Sequence, residues 1–242
     1  MSREFEVSRE IDLPAAPDDV WTAITADTAA WMFPTGEGEE IPSGEGGPIK
    51  TWDPPNRLVI RMEAPDGTFN ALDYAIEARD GGTAHLRYVH SGILADGWED
   101  QYDAIGGHTD FYLHTLGQYL EHFNGRPVTY VGQPSSGIEG PEAAGTPDAM
   151  DVLRAALGLS PGAGVGDEVH ASVGDAGTLD GVVDYSTPEF LGVRAADGLF
   201  RFFGRNHYGG VVGMSAHLFV EGGVDAAASE AALKAWLDGV YA

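Results

Sequence analysis

The sequence predicts an α+β protein in which antiparallel strand meanders run into closing helices. Three observations predict it. Several short segments of the first half alternate apolar and polar residues and are joined by tight turns, which is the period-2 signature of antiparallel strands. One stretch, Asp96 to Gly125, instead repeats its apolar residues in steps of three and four, which places them on one helix face. The second half repeats the order of strands followed by a helix.

Taken in order, Glu4 to Leu13 alternates Phe5, Val7, Arg9 and Ile11 against acidic and hydroxyl residues, and reads as a half-buried strand in which Arg9 is the one charge on the apolar side. Pro14 and Pro17 break it. Asp18 then opens a short helix with Val20, Trp21 and Ile24 on its apolar side, and a turn carries Trp31, Met32 and Phe33. Gly36 to Gly47 reads as a loop; it lacks the Gly-x-Gly-x-x-Gly spacing of a dinucleotide fingerprint. Ile49–Trp52 and Leu58–Met62 are strands joined across Asp53-Pro54-Pro55-Asn56, a strong turn signal. Thr68–Ala78 places Leu72, Tyr74 and Ile76 on one face. After the turn at Asp80-Gly81-Gly82, Thr83–Ser91 returns with Leu86, Tyr88 and His90 on one face.

The long helix carries Trp98, Tyr102, Ile105, Tyr112, Leu116, Tyr119 and Phe123 on its stripe, with Thr109 as a polar lapse. Asp96 is placed to cap its start, Glu99 to reach back to that cap, and Gly125 followed by Pro127 to close its end. The carboxylates Glu99, Asp100 and Asp103 complement the positive end of its dipole.

Residues 127–147 are rich in Pro, Gly, Ser and Glu and read as a linker between a first domain, 1–126, and a second, 148–242. The second opens with a helix from Pro147 to Leu157. Strands follow near Glu168–Val173, Gly177–Asp184, Phe190–Arg194, Leu199–Phe203 and Val211–Val220, then a helix from Asp225 to Tyr241 with Leu233, Trp236, Leu237 and Val240 at helical spacing. Two tandem units, the second shortened, are expected; one merged domain is the competing arrangement.

Composition narrows the function. Lys and Arg total 13 against 38 Asp and Glu, a formal charge of −25 with no basic stripe, so nucleic acid and anionic membrane surfaces are not expected partners. No cysteine is present, which excludes disulfides and thiolate chemistry. The charged opening Met1 to Glu10 is unlike a secretory signal, and no apolar run approaches the ~18 residues of a membrane span. A cytoplasmic protein is expected. On the long helix His108, His114 and His122 are spaced by six and eight residues, not the four of a two-histidine metal site, so no metal or other cofactor is expected. Gly213-Met214-Ser215-Ala216-His217 lacks the second glycine of a nucleophile elbow, and strand alternation would set Ser215 and His217 on one face. Asn206-His207-Tyr208 lies in a turn.

Five segments carry a family resemblance: Ile11-Asp12-Leu13-Pro14-Ala15, Val20-Trp21-Thr22-Ala23-Ile24-Thr25, Trp31 to Phe33, Trp52-Asp53-Pro54-Pro55-Asn56-Arg57-Leu58, and Gly107 followed by Leu113, Leu116 and Leu120. In this order they resemble the START-like (SRPBCC) superfamily, and within it the family named after the activator of the ninety-kilodalton heat-shock protein ATPase. The resemblance spans residues 3 to 124 and departs at Gly107-His108, where many relatives carry Gly-Trp. It implies a helix-grip fold, an antiparallel sheet wrapped around the long helix, and a cavity between them. Trp21, Trp31, Phe33, Trp52, Tyr74, Tyr88, His90, Trp98, Tyr102, His108 and Tyr112 would then line a site for a small lipophilic molecule, with no catalytic residue assigned. Two alternatives stay open. One is a cyclase, dehydratase or hydrolase of polyketide-like substrates, with His90, His108, Tyr88 and Tyr112 as candidate acids or bases. The other is a chaperone-associated module.

Overall fold

The alternation that opens the chain forms strand β1 (Arg3–Leu13) in a computed structural model describing residues 3–35, 47–94 and 99–242, with side chains given for all of these except 3, 94 and 99–103. The chain divides into two units, Met1–Asn124 and Gly125–Ala242. Both are α+β with antiparallel sheets, and four α-helices are present among the described residues.

In the first unit β1 is followed by helix α1 (Pro17–Thr25), whose proline sits in the first turn where its missing N–H costs nothing. Strands β2 (Ile49–Asp53), β3 (Arg57–Glu63), β4 (Phe69–Arg79) and β5 (Thr83–Leu94) come next, then helix α2 (Glu99–His122). The sheet order is β1-β5-β4-β3-β2, every pair antiparallel: the short turns from β2 to β5 each return the chain beside the strand it has just left, and β5 then pairs with β1. Residues directly opposite in such pairs share a face. The register therefore aligns Arg9, Tyr88, Tyr74, Leu58 and Trp52 in one row across the sheet, and Val7, His90, Leu72 and Ile60 in the next.

Helix α2 lies on the face that carries these rows. Arg9 Nε and Nη2 donate to Asp110 Oδ1 and Oδ2 of α2 at 2.5 and 3.0 Å. A Cβ built on Gly117 of α2 would stand 3.9 Å from Leu13, also on that face. The one charge in the apolar alternation of β1 thus has its partner on the helix. Leu116, Tyr119 and Phe123 of the expected stripe are buried, and Gly125, with φ of +72°, terminates the helix in a left-handed conformation that glycine adopts without strain. Phe111 and Thr115 lie off that stripe and are also buried. Tyr119 donates from its hydroxyl to Asp27 at 3.1 Å, anchoring the end of α2 beside the turn that follows α1. The expected cap at Asp96 and the loop at 36–46 lie outside the described residues, as do the side chains of Glu99, Asp100 and Asp103.

The second unit begins earlier than expected. Within 127–147, the expected linker, β6 (Thr129–Val131) and β7 (Ile138–Glu139) both pair with β12 (Val212–Leu218). Thr129, Tyr130 and Val131 are good strand formers, and three such residues among prolines and glycines suffice to add an edge. The stretch folds into the unit. Helix α3 (Ala149–Ala156) leads to β8 (Glu168–Ser172), β9 (Thr178–Ser186), β10 (Phe190–Ala195) and β11 (Gly198–Gly204), then β12 and helix α4 (Ala226–Val240). The sheet order is β6-β12-β11-β10-β9-β8, with β7 beside β6 on β12. Rather than a shortened sheet, this unit has seven strands against five in the first, among the described residues. Its core packs Met150, Leu153 and Leu157 with Leu233 and Leu237 against Val183, Leu191, Val193, Phe202 and Met214. Asp225 caps α4 by accepting from Ala228 N at 3.0 Å.

Candidate ligand-binding site

Strands β4 and β5 pair so that Tyr74 stands opposite Tyr88 and Leu72 opposite His90, all four on the α2 side of the sheet. The two tyrosine rings are 5.0 Å apart, centroid to centroid. Both tyrosines are buried, and no described residue hydrogen-bonds either hydroxyl. Burial pushes both phenols up from their usual range, and for Tyr74 the nearby Tyr88 adds to the shift. At neutral pH they are therefore protonated donors.

His90 continues the row on the same strand. Its ring lies 6.5 Å from that of Tyr88 and meets Phe5 edge-on at 5.0 Å. Nε2 donates to Asn70 Oδ1 at 3.0 Å, which leaves Nδ1 as the acceptor of the neutral ring. Burial lowers the His90 pKa from its ordinary value of 6.5, so the neutral form prevails at pH 7. The wall thus consists of apolar rings and branched side chains with two phenol donors and one imidazole. Gly92 completes it: a Cβ there would fall 2.7 Å from the Phe5 ring and 2.5 Å from Phe69 O, so only glycine lets Phe5 lie against the strand.

The other expected residues fall into separate groups. Tyr112 of α2 sits between Phe33 and His108, with ring centroids 6.1 and 6.2 Å away. His108 Nδ1 donates to Ala104 O at 2.7 Å, one helical turn back. Trp21 of α1 meets Trp52 of β2 edge-on at 5.0 Å. Trp31 is 2% exposed and its indole N–H donates to Ala23 O at 2.8 Å, so its polar tip ties α1 to the following turn. Trp98 and the side chain of Tyr102 lie outside the described residues.

Sequence reasoning passed over Phe5 and Asn70. The alternation of β1 already put Phe5 on the inner face, but Asn70 gains its position from a register that no local pattern encodes.

No protein-family model matches the chain, and no curated protein matches it significantly. Solved structures do. Mll3558 from Rhizobium loti is similar at 19% identity and a TM-score of 0.39, over 50% of this chain and 99% of that one. The Aha1 dimer from Colwellia psychrerythraea is similar at 16% identity and 0.38, over 48% and 96%. DynU16, encoded in the dynemicin biosynthetic locus, is similar at 15% identity and 0.39, over 98% of this chain and 95% of its own. At these identities and scores the similarities assign neither a family nor an activity.

Elsewhere, Ser215 and His217 lie within β12, opposite Arg201 and Leu199 of β11, so no strand-to-helix turn presents Ser215 as a nucleophile. No group of three or more metal-ligating side chains occurs among the described residues, and no described helix is long and apolar enough to cross a membrane.

Proposed function

We infer that the first unit binds a small, mostly apolar molecule carrying a hydrogen-bond acceptor such as a carbonyl oxygen, held in a helix-grip arrangement between the sheet and α2. The observation that carries this reading is the pair of adjacent, buried tyrosine rings, Tyr74 and Tyr88, whose hydroxyls no described residue engages. An acceptor placed between the two hydroxyls would receive a hydrogen bond from each. Phe5, Leu72 and Ile60 supply apolar surface on the same face.

Binding is favoured over acid–base catalysis by the direction of the shifts. An effective general acid has a pKa near the working pH, whereas burial moves both tyrosines further above neutrality and lowers the His90 pKa, which disfavours its cationic, proton-giving form. These groups hold a ligand better than they exchange protons with it.

The test compares two probes of the same skeleton, 9-fluorenone and fluorene, titrated against the protein by intrinsic fluorescence. Two new hydrogen bonds predict roughly fivefold or greater preference for fluorenone, and the preference should disappear in the Tyr74→Phe/Tyr88→Phe double variant. Equal affinities in the unsubstituted protein, or no binding of either probe, would overturn the reading.

A further inference from the structure

A groove of ≈ 630 Å³ in the second unit runs between α3 and the segments that follow α3 and β9. Its walls are mostly apolar: Met150, Ala155, Leu159, Pro161, Ala163 and Pro188. Arg154 also lines it, half-buried and pinned. Nη1 donates to Ser186 Oγ at 3.1 Å, and Nη2 to Thr187 O at 2.5 Å and Phe190 O at 3.3 Å. All three acceptors are neutral, and no carboxylate among the described residues lies within ion-pair distance of this guanidinium. Nε–H and the second Nη1–H remain without a described partner.

The neighbouring hydroxyls have the same polarity. Ser186 Oγ accepts from Arg154, and Thr187 Oγ1 accepts from Phe190 N at 3.0 Å, so each has its own proton left to donate. Both residues line the groove. One rim is fixed by the turn at Arg205–Tyr208: Asn206 Nδ2 donates to Thr146 O at 2.9 Å, which holds His207 beside Pro147. A fixed cation, two hydroxyl donors and apolar walls form a site for an amphiphile with an anionic head. Asp151 lines the same groove one helical turn from Arg154, and its charge disfavours a dianion.

We propose that this groove binds a monocarboxylate amphiphile, with the carboxylate on Arg154, Ser186 and Thr187 and the hydrocarbon against Met150, Leu159 and Pro188. The site is independent of the one in the first unit. A guanidinium fixed in advance loses little rotamer freedom on binding, which makes Arg154 a better carboxylate anchor than a free surface lysine.

The experiment is calorimetric titration of the full chain with octanoate, octan-1-ol and octyl phosphate. Octanoate binds with a stoichiometry of one, octanol about tenfold more weakly for want of the charge-assisted bonds, and octyl phosphate no more tightly than octanoate. Arg154→Gln weakens octanoate by about the same factor. Because Arg154 also braces the β9 to β10 connection, a second variant is needed: Ala155→Trp, at an exposed position that lines the groove, fills it without touching those hydrogen bonds and removes octanoate binding while leaving fluorenone binding intact. Equal binding of octanoate and octanol, tighter binding of octyl phosphate, no binding of octanoate, or octanoate binding that survives Ala155→Trp would each overturn the proposal.

Discussion

Replacing Tyr74 by Phe removes one oxygen from the inner face of the sheet and should weaken binding without loss of stability. The ring stays, and with it the 5.0 Å contact to Tyr88, so packing changes little. What leaves is a hydroxyl, at the edge of a buried ring, that no described residue engages. No hydrogen bond within the protein is lost, so the ligand-free variant should be at least as stable as its parent, by up to about 1 kcal/mol. For a unit of this size that corresponds to a melting rise of at most about 3–6 °C. The same change removes a donor to the ligand, at about 0.5–1.5 kcal/mol, or a twofold to twelvefold loss of fluorenone affinity. Amide hydrogen exchange in β4 and β5 reads the stability of the first unit by itself. A Tyr74→Phe protein less stable than its parent by ~1 kcal/mol or more would refute the reasoning, because it would mean that the hydroxyl is satisfied in the free protein.

Three further outcomes follow from particular contacts. Since burial depresses the His90 pKa, the unfolded chain binds the proton more tightly than the folded one; stability is complete above about pH 6.5 and falls as the pH drops below it, and His90→Gln should flatten urea midpoints compared at about pH 7.5 and 5.5. Gly92→Ala forces a methyl onto Phe69 O and the Phe5 ring, and should lower the exchange-derived stability of the first sheet by about 2 kcal/mol or more. In the second unit Arg201 Nη1 donates to both oxygens of Asp184, at 2.9 and 3.0 Å, and both side chains are almost wholly buried. Asp184→Ala takes that carboxylate from a buried cation, and the predicted loss is about 3–5 kcal/mol, measured by denaturant unfolding.

Much of the first unit was legible because strand alternation is strictly local. The face shared by Leu72, Tyr74 and Ile76, and the one shared by Leu86, Tyr88 and His90, followed from the period of two, and the turn at Asp80-Gly81-Gly82 then brought those faces together. Which residues stand opposite was not legible. The pairing of Tyr74 with Tyr88, and the reach of Asn70 to His90, depend on register, which the turn geometry sets over many residues. Arg9 showed as an anomaly in β1 without showing its cause, because Asp110 is remote in sequence. The stretch 127–147 misled through composition: prolines and glycines dominated the reading, while the three strand formers from Thr129 to Val131 decided the structure. The groove around Arg154 had no local signal, since its hydroxyls come from the end of β9 and the connection to β10, remote in sequence from Arg154, and its walls from both sides of Leu159.

The account rests most heavily on the claim that Tyr74 and Tyr88 face a bound molecule. Intermolecular nuclear Overhauser contacts between fluorenone and the tyrosine ring protons test it most directly. The account predicts contacts to Tyr74 and Tyr88, accompanied by contacts to Phe5 or His90. Fluorenone that binds but shows its contacts only to other residues, such as Met150 and Leu159 in the second unit, would contradict it.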